Sequence, residues 1–400
     1  MNLSGSQTEG ATHAYMHVRL SENPVSQRRS ETRPLKETPL HLLHKSLGAR
    51  MDAFAGFDMP INYPTGIIVE HQHCRDEAAL FDVSHMSQFR LRSSGTVADI
   101  AEALEMLVPG NIQEIPSGRL CYTMFTNDQG GILDDVIVTR DVDHFRLVGN
   151  ASRRKIDKKI LCDGLPPTIS VELLDRALIA LQGPRAEAVL IRHSPKLSPL
   201  KFMWGTKTEI AGVQCWVSRS GYTGEDGYEI SVRTEQAREL AETLLDEEEV
   251  KPAGLGARDS LRLEAGLCLY GNDLDEMTTP IEAGLNWTIR KRRRELESFP
   301  GSDKILHQLI EGPTRRRVGI RPVGHAIARK GTVISDENGK NLGVVTSGGF
   351  GPTVRRPIAV GYVTEHAART GHPLILRVRN KKINAVVAPL PFVEHSYYKR

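Results

Sequence analysis

Two carboxylates stand side by side in an otherwise apolar run, Gly130-Gly131-Ile132-Leu133-Asp134-Asp135-Val136-Ile137-Val138. The run reads as a strand, whose alternation sends Asp134 and Asp135 to opposite faces. At least one of them then meets a core or a cleft, where an unpartnered charge is costly and a carboxylate can do acid–base or electrostatic work. The competing reading puts both at a hairpin end in solvent.

A second stretch, Ser220-Gly221-Tyr222-Thr223-Gly224-Glu225-Asp226-Gly227-Tyr228-Glu229-Ile230, spaces three glycines at intervals of three. Glycines there permit tight turns or close backbone approach. Tyrosine faces beside Glu229 suit a planar, nitrogen-rich heterocycle, because the ring stacks and the carboxylate accepts paired N–H donors. A plain turn is the other reading. In a third stretch, Ala257 to Asp273, Arg258 and Arg262 lie i, i+4 on one helix face. They could clamp a carboxylate or a ring carbonyl, or they could belong to a solvated face with Asp259 and Glu264.

Other chemistries find no support. There is no G-x-x-x-x-G-K-[ST], no G-x-G-x-x-G between strand and helix, and no H-E-x-x-H. Glu70-His71-Gln72-His73-Cys74 would splay its ligands on a helix, so it reads as a polar helix surface rather than a metal site. Ser84 and His85 are adjacent, which is poor geometry for a nucleophile and its base. The five cysteines contain no C-x-x-C and read as reduced thiols. Lys+Arg 52 against Asp+Glu 49 is too balanced for a dedicated nucleic-acid binder. No apolar run approaches the roughly 18 residues of a membrane span.

The elements that must position these groups follow from pattern. Thr38-Pro39 opens a helix, and Arg119–Thr126 and Gly131–Thr139 form a hairpin through Asn127-Asp128-Gln129-Gly130. Phe145–Val148 is a further strand; Glu235–Leu245 and Ala257–Ala265 are helices, the second stopped by Gly266. After the basic run Arg290–Arg294 and Phe299-Pro300-Gly301, six short strands beyond Arg315 argue for a small barrel or sandwich. The expected organisation is a flexible tail over 1–34, a mixed region over 35–290, a linker over 291–314 and a C-terminal barrel over 315–400. Glu9, Glu22 and Glu31 in the tail are unlike a mitochondrial transit peptide, so the expected compartment is the cytoplasm, with the mitochondrial matrix as the alternative.

Together the three stretches, Phe81-Asp82-Val83-Ser84-His85-Met86, Gly271-Asn272-Asp273 with Thr279-Pro280, and the closing Pro391-Phe392-Val393 and Tyr397-Tyr398 resemble the aminomethyltransferase (T-protein) family of the glycine cleavage system. The resemblance runs from about Leu35 to Arg400. It implies an α+β fold of three domains in a clover-leaf arrangement, with a small C-terminal β-barrel, and tetrahydrofolate as co-substrate in a central hole. It also implies transfer of a one-carbon unit from the S-aminomethyldihydrolipoyl arm of the lipoylated H-protein to that folate, giving 5,10-methylenetetrahydrofolate and ammonia without a metal. By position it makes Asp135 the catalytic aspartate. Glu229 faces the pterin, Arg258 and Tyr397 lie in the folate site, and Asn150 and Met86 line the same hole. Arg317, in the basic Arg315-Arg316-Arg317, is expected to support the domain interface and to help receive the acidic carrier. Phe57 stands where many members have Trp. The alternative within the fold is a non-transferase relative of iron–sulfur assembly type or a folate-binding scaffold; the former type carries a cysteine in a Lys-Gly-Cys-Tyr-Thr-Gly-Gln-Glu motif, and the matching Ser220–Glu225 of this chain has none.

Overall fold

The computed structural model describes residues 34–379 and 381–399. The expected tail lies outside them, apart from Pro34. Beside a two-stranded ribbon of Arg50–Phe54 and Phe57–Asn62, three large sheets organise the described residues, each with its own apolar core.

The first sheet holds the paired carboxylates. Its five antiparallel strands run in the order Leu120–Thr126, Ile132–Arg140, Phe145–Gly149, Ser87–Ser93, Ile169–Leu173. The expected hairpin forms because Asn127 turns the chain: its Oδ1 accepts the N–H groups of Gln129 and Gly131, both at 2.9 Å. Gly131 is needed for close approach, since a Cβ there would lie 1.8 Å from the Glu276 carbonyl oxygen. Helices Val97–Glu105 and Arg154–Gly164 bury Ile100, Leu104 and Leu161 against this sheet. The former starts at a capping box between Thr96 and Asp99.

The second sheet has six strands, Trp204–Ile210, Val213–Arg219, Gly227–Arg233, Arg176–Gln182, Ala78–Asp82 and Val250–Pro252, with only the last pair parallel. Helices Ala186–His193 and Ala237–Leu245 cover it with Val189, Leu190, Leu240 and Leu244. The third is a closed six-stranded barrel, Arg315–Pro322, Arg356–Thr364, Asn341–Gly351, Val333–Ser335, Pro373–Val378 and Lys381–Ala388. Closure leaves no sheet edge exposed. The α+β class and the C-terminal barrel are as the sequence implies.

Local details differ from expectation. The first helix is His41–Ser46, and Thr38 does not cap it: its hydroxyl donates to buried Asp82 at 2.6 Å. Residues 291–314, read as a linker, contain helices Lys291–Leu296 and Ser302–Glu311. Within the basic run Arg293 is fully buried, ion-paired with Glu105 at 3.4 Å and donating to the Val108 carbonyl. The Glu70–Cys74 segment is not a polar surface either. Glu70 accepts the N–H groups of Tyr63 and Gly254, and His71 pairs with Glu264 at 3.1 Å. The residues are polar, yet on helix Ile67–Asp76 it is Glu70, His71 and Cys74 that face inward.

Helix Leu255–Glu264 joins the parts. Arg262, 2% exposed, reaches Asp273 at 2.7 Å and Ser347 of the barrel at 3.0 Å. Asp273 in turn accepts from Thr346 at 2.5 Å, and its carbonyl accepts from the Tyr362 hydroxyl. Burial alone would raise the Glu264 carboxyl, but His71, Thr353 and Arg75 hold it down at about 2. Arg317 spans the same junction, donating to the carbonyls of Ala283 and Gly266. The solvated-face reading of Arg262 therefore fails: the spacing placed it on a face that the barrel covers.

Arg262→Met should leave Asp273 buried without its cation, an imbalance that typically costs about 3–5 kcal/mol. Urea unfolding should show that loss, with the barrel no longer unfolding together with the rest; unchanged stability would remove this pair from its joining role.

Candidate active site

Alternation along Ile132–Arg140 separates the two carboxylates as the pattern requires. Asp134 is fully buried and Asp135 only partly. Asp135 shares its face with Tyr122, which sits opposite Ile137 on the neighbouring strand. The Tyr122 hydroxyl donates to Asp135 Oδ2 at 2.9 Å, and Asn150 Nδ2 donates to Oδ1 at 2.8 Å. Burial pushes the Asp135 carboxyl up, and these two donors pull it back toward the ionised form. Trp287, more than half exposed, stacks on Tyr122 with centroids 5.7 Å apart and fixes that ring from outside.

The glycine-rich stretch folds back beside this carboxylate. Tyr222 donates to the Cys268 carbonyl, which pins its ring, and the Arg258 guanidinium lies over the ring at 4.8 Å. Arg258 Nη1 is buried and meets no hydrogen-bond partner among the described residues. Desolvation lowers the Arg258 pKa, and Glu229 is the first charge that offsets it. Glu229, half-buried on Gly227–Arg233, accepts from Ser220 at 2.9 Å but forms no ion pair with Arg258. A cation and an anion thus face one region without neutralising each other, the arrangement expected where a ligand completes both.

Met86 packs beside Phe81, Val83 and Leu261 beneath the Arg258 helix. Next to it His85 is buried with Nδ1 unpartnered, its ring edge-on to Phe54 and Phe57. Burial, aided by the charges of Arg258 and Arg154 and opposed by Asp82, holds the His85 pKa down at about 4, so it is neutral near pH 7. Phe57 fills its place with an ordinary aromatic contact.

Of the six expected site residues, Asp135 and Asn150 touch directly, and Arg258 and Glu229 converge beside Tyr222. Met86 lies behind them as an apolar support. Tyr397 stands apart: its ring stacks on Phe202 at 4.1 Å, and its charged neighbours are Arg75 and Glu225. Its segment is nevertheless tied to the glycine-rich loop, since Ser396 N–H donates to the Gly224 carbonyl. Sequence reasoning missed Tyr122, although two-residue counting back from the hairpin would have put it on the face of Asp135. One further carboxylate–imidazole group, Asp141, Asp143 and His144, lies elsewhere, and Lys207 and Arg146 already reach Asp141 at 3.2 and 3.4 Å.

No helix among the described residues is long and apolar enough to cross a membrane. Residues 40–293 match the family model of the GCVT N-terminal domain, and residues 315–394 that of the glycine cleavage T-protein C-terminal barrel domain. The mitochondrial aminomethyltransferase of Dictyostelium discoideum is 43% identical over 92% of this chain and 95% of its own. That of Homo sapiens is 43% identical over 91% of each. These relatives are mitochondrial, so the cytoplasmic expectation gains no support from them and its mitochondrial alternative fits better. The crystal structure of the glycine cleavage system aminomethyltransferase T from Bartonella henselae, 42% identical, superposes with a TM-score of 0.87 and covers 91% of this chain and all of its own. With both family models matched in order and relatives covered almost end to end, the chain belongs to the glycine cleavage T-protein family of aminomethyltransferases.

Proposed function

We propose that this chain transfers the one-carbon unit of an S-aminomethyldihydrolipoyl arm, carried by the lipoylated H-protein, to tetrahydrofolate, releasing ammonia and forming 5,10-methylenetetrahydrofolate. The observation that carries this reading is the Asp135 carboxylate, held from two sides by Tyr122 and Asn150 and oriented before any substrate arrives. A carboxylate so fixed accepts a hydrogen bond from the reacting amine. It also stabilises the positive charge that develops on the carbon–nitrogen unit as ammonia leaves, with little reorganisation.

The donor set fits the folate as well. Glu229 supplies an acceptor for the pterin's amino edge, which presents paired N–H groups much as a guanidinium does. Arg258, with Nη1 unpartnered, offers a buried donor for an oxygen of the ligand. Tyr222 gives a flat face between them. Tyr397, on the far side of the glycine-rich loop, would meet a part of the folate remote from the reacting nitrogens. The relatives' names favour a mitochondrial location, and the matrix, beside a lipoylated carrier, is the compartment that the proposed reaction needs.

Asp135→Asn should lower turnover with aminomethyl-loaded H-protein by roughly 10²–10⁴-fold, the usual worth of a positioned acid or base, while calorimetric titration shows tetrahydrofolate affinity largely kept. Wild-type transfer by this variant would sink the assigned role. Glu229→Ala should instead weaken folate binding in the same titration, because the pterin donors lose their acceptor; unchanged affinity would overturn the pterin contact.

A further inference from the structure

Beneath Asp135 lies a second pair of acids that the transfer reaction does not use. Asp134 points into the protein from the same strand and Asp157 comes from the first turn of helix Arg154–Gly164; both are completely buried. Each brings an oxygen close to the same point beside Gly149. A Cβ at that glycine would lie 2.7 Å from Asp157 Oδ2 and 3.2 Å from Asp134 Oδ2. Among the described residues neither oxygen of Asp157 meets a hydrogen-bond donor. Asp134 accepts two N–H groups, both from Asn150: the backbone N–H at 3.0 Å and Nδ2 at 2.8 Å. The same Nδ2 makes the bond to Asp135, so one amide is forked between the fully buried acid and the partly buried one.

Among the described residues no cation forms an ion pair with either acid, although the Arg153 charge favours the ionised form of Asp157. The charged and titratable groups around it are Asp135 on the strand, Arg153 just before the helix and Tyr270 from the loop beyond. Arg153 directs a terminal nitrogen outward to Glu276 at 2.8 Å and lies over the Tyr270 ring at 5.0 Å; it donates to neither buried acid. Two ionised carboxylates are acceptors only and repel each other, whereas a carboxyl and a carboxylate bond through one proton.

We propose that Asp134 and Asp157 share one proton, and that this buried acid pair positions Asp135 by holding the Asn150 amide that both acids use. Asp135 is the member whose charge the Tyr122 and Asn150 donors favour, against the burial that raises its carboxyl. Burial first, and then mutual repulsion, raises the Asp134 carboxyl, and burial raises that of Asp157, in line with a retained proton. The inference rests on the transfer reaction proposed above only for its kinetic consequence; the shared proton stands or falls separately.

The sign follows from linkage. The folded protein keeps a proton that an unfolded aspartate, with a pKa of about 3.9, has lost. Stability contributed by the pair is therefore greatest at low pH and declines as pH rises above that value, until the folded pair itself ionises. Urea unfolding between pH 5 and 7 should show the folded-to-unfolded ratio of the unsubstituted protein falling about tenfold per pH unit relative to Asp157→Asn, whose amide needs no shared proton. Parallel curves would overturn the proposal whatever the activity. Should Asp157→Asn not fold, infrared spectra of the unsubstituted protein decide. A protonated-carboxyl band at neutral pH that disappears at alkaline pH supports the pair, and its absence refutes it.

In reconstituted transfer with loaded H-protein, Asp134→Ala should lower kcat by about 10–10²-fold, the scale of a small misplacement of a reacting group. The KM for tetrahydrofolate should stay near its original value, and Asp134→Asn should restore most of the loss. Equal kcat in all three proteins would remove the positioning role. An unsubstituted protein that binds folate and transfers nothing would instead refute the proposed reaction, with the stability comparison still deciding the proton.

Discussion

The whole assembly hangs on the charges that helix Leu255–Glu264 carries into the interior. Arg262 and Glu264 are both buried, and each is matched by more than one partner drawn from a different part of the chain. Pairs of this kind add little net stability, but they forbid alternatives, because sliding the barrel would take Ser347, Thr346 and Thr353 away from the buried Arg262, Asp273 and Glu264. The same helix presents Arg258 one turn earlier. The interaction that seats the barrel therefore also fixes the direction of a site cation, and Arg317 reinforces the seat through main-chain carbonyls.

Around that anchor the site is assembled from three independent cores. The five-stranded sheet supplies Asp135, Tyr122 and Asn150; the six-stranded sheet supplies Glu229; the helix between them and the barrel supplies Arg258. Each group is rigid because its element is packed, not because the site binds itself together. What the groups leave unsatisfied among the described residues is an Arg258 nitrogen and a carboxylate without an ion pair, the partners that the proposed folate would take up. Electrostatic work of the kind aminomethyl transfer needs depends on such preorganisation, since dipoles already in place cost nothing to align at the moment of reaction.

Much of this was legible from pattern. The Asn127–Gly130 hairpin, the helix stopped by Gly266 and the six barrel strands rest on local signals, namely alternation, turn chemistry and the residue that tolerates a positive φ. Asp135 was legible for the same reason, because period-two alternation separates neighbours whatever the fold. Failures came where polarity was taken as exposure. Glu70, His71, Arg262 and Arg293 are polar in sequence and buried in the structure, each with a partner at least 11 residues away along the chain. Asp157 left no signal at all, since an aspartate in the first turn of a helix ordinarily serves the helix end in solvent.

What the sequence determined by itself is therefore what short-range physics decides: element type, turn position, the face on which each acid lies, and, through the order of its motifs, membership of one family. Tertiary structure alone decided which charges are buried and whose charge each one answers. A side chain's cost of desolvation depends on what covers it, and its compensation depends on a partner that the chain brings back from a distance. Neither quantity is local, so no window of sequence contains it. That is why Asp134 and Asp135, neighbours of the same type, became a buried acid without a cation and an oriented carboxylate at the site.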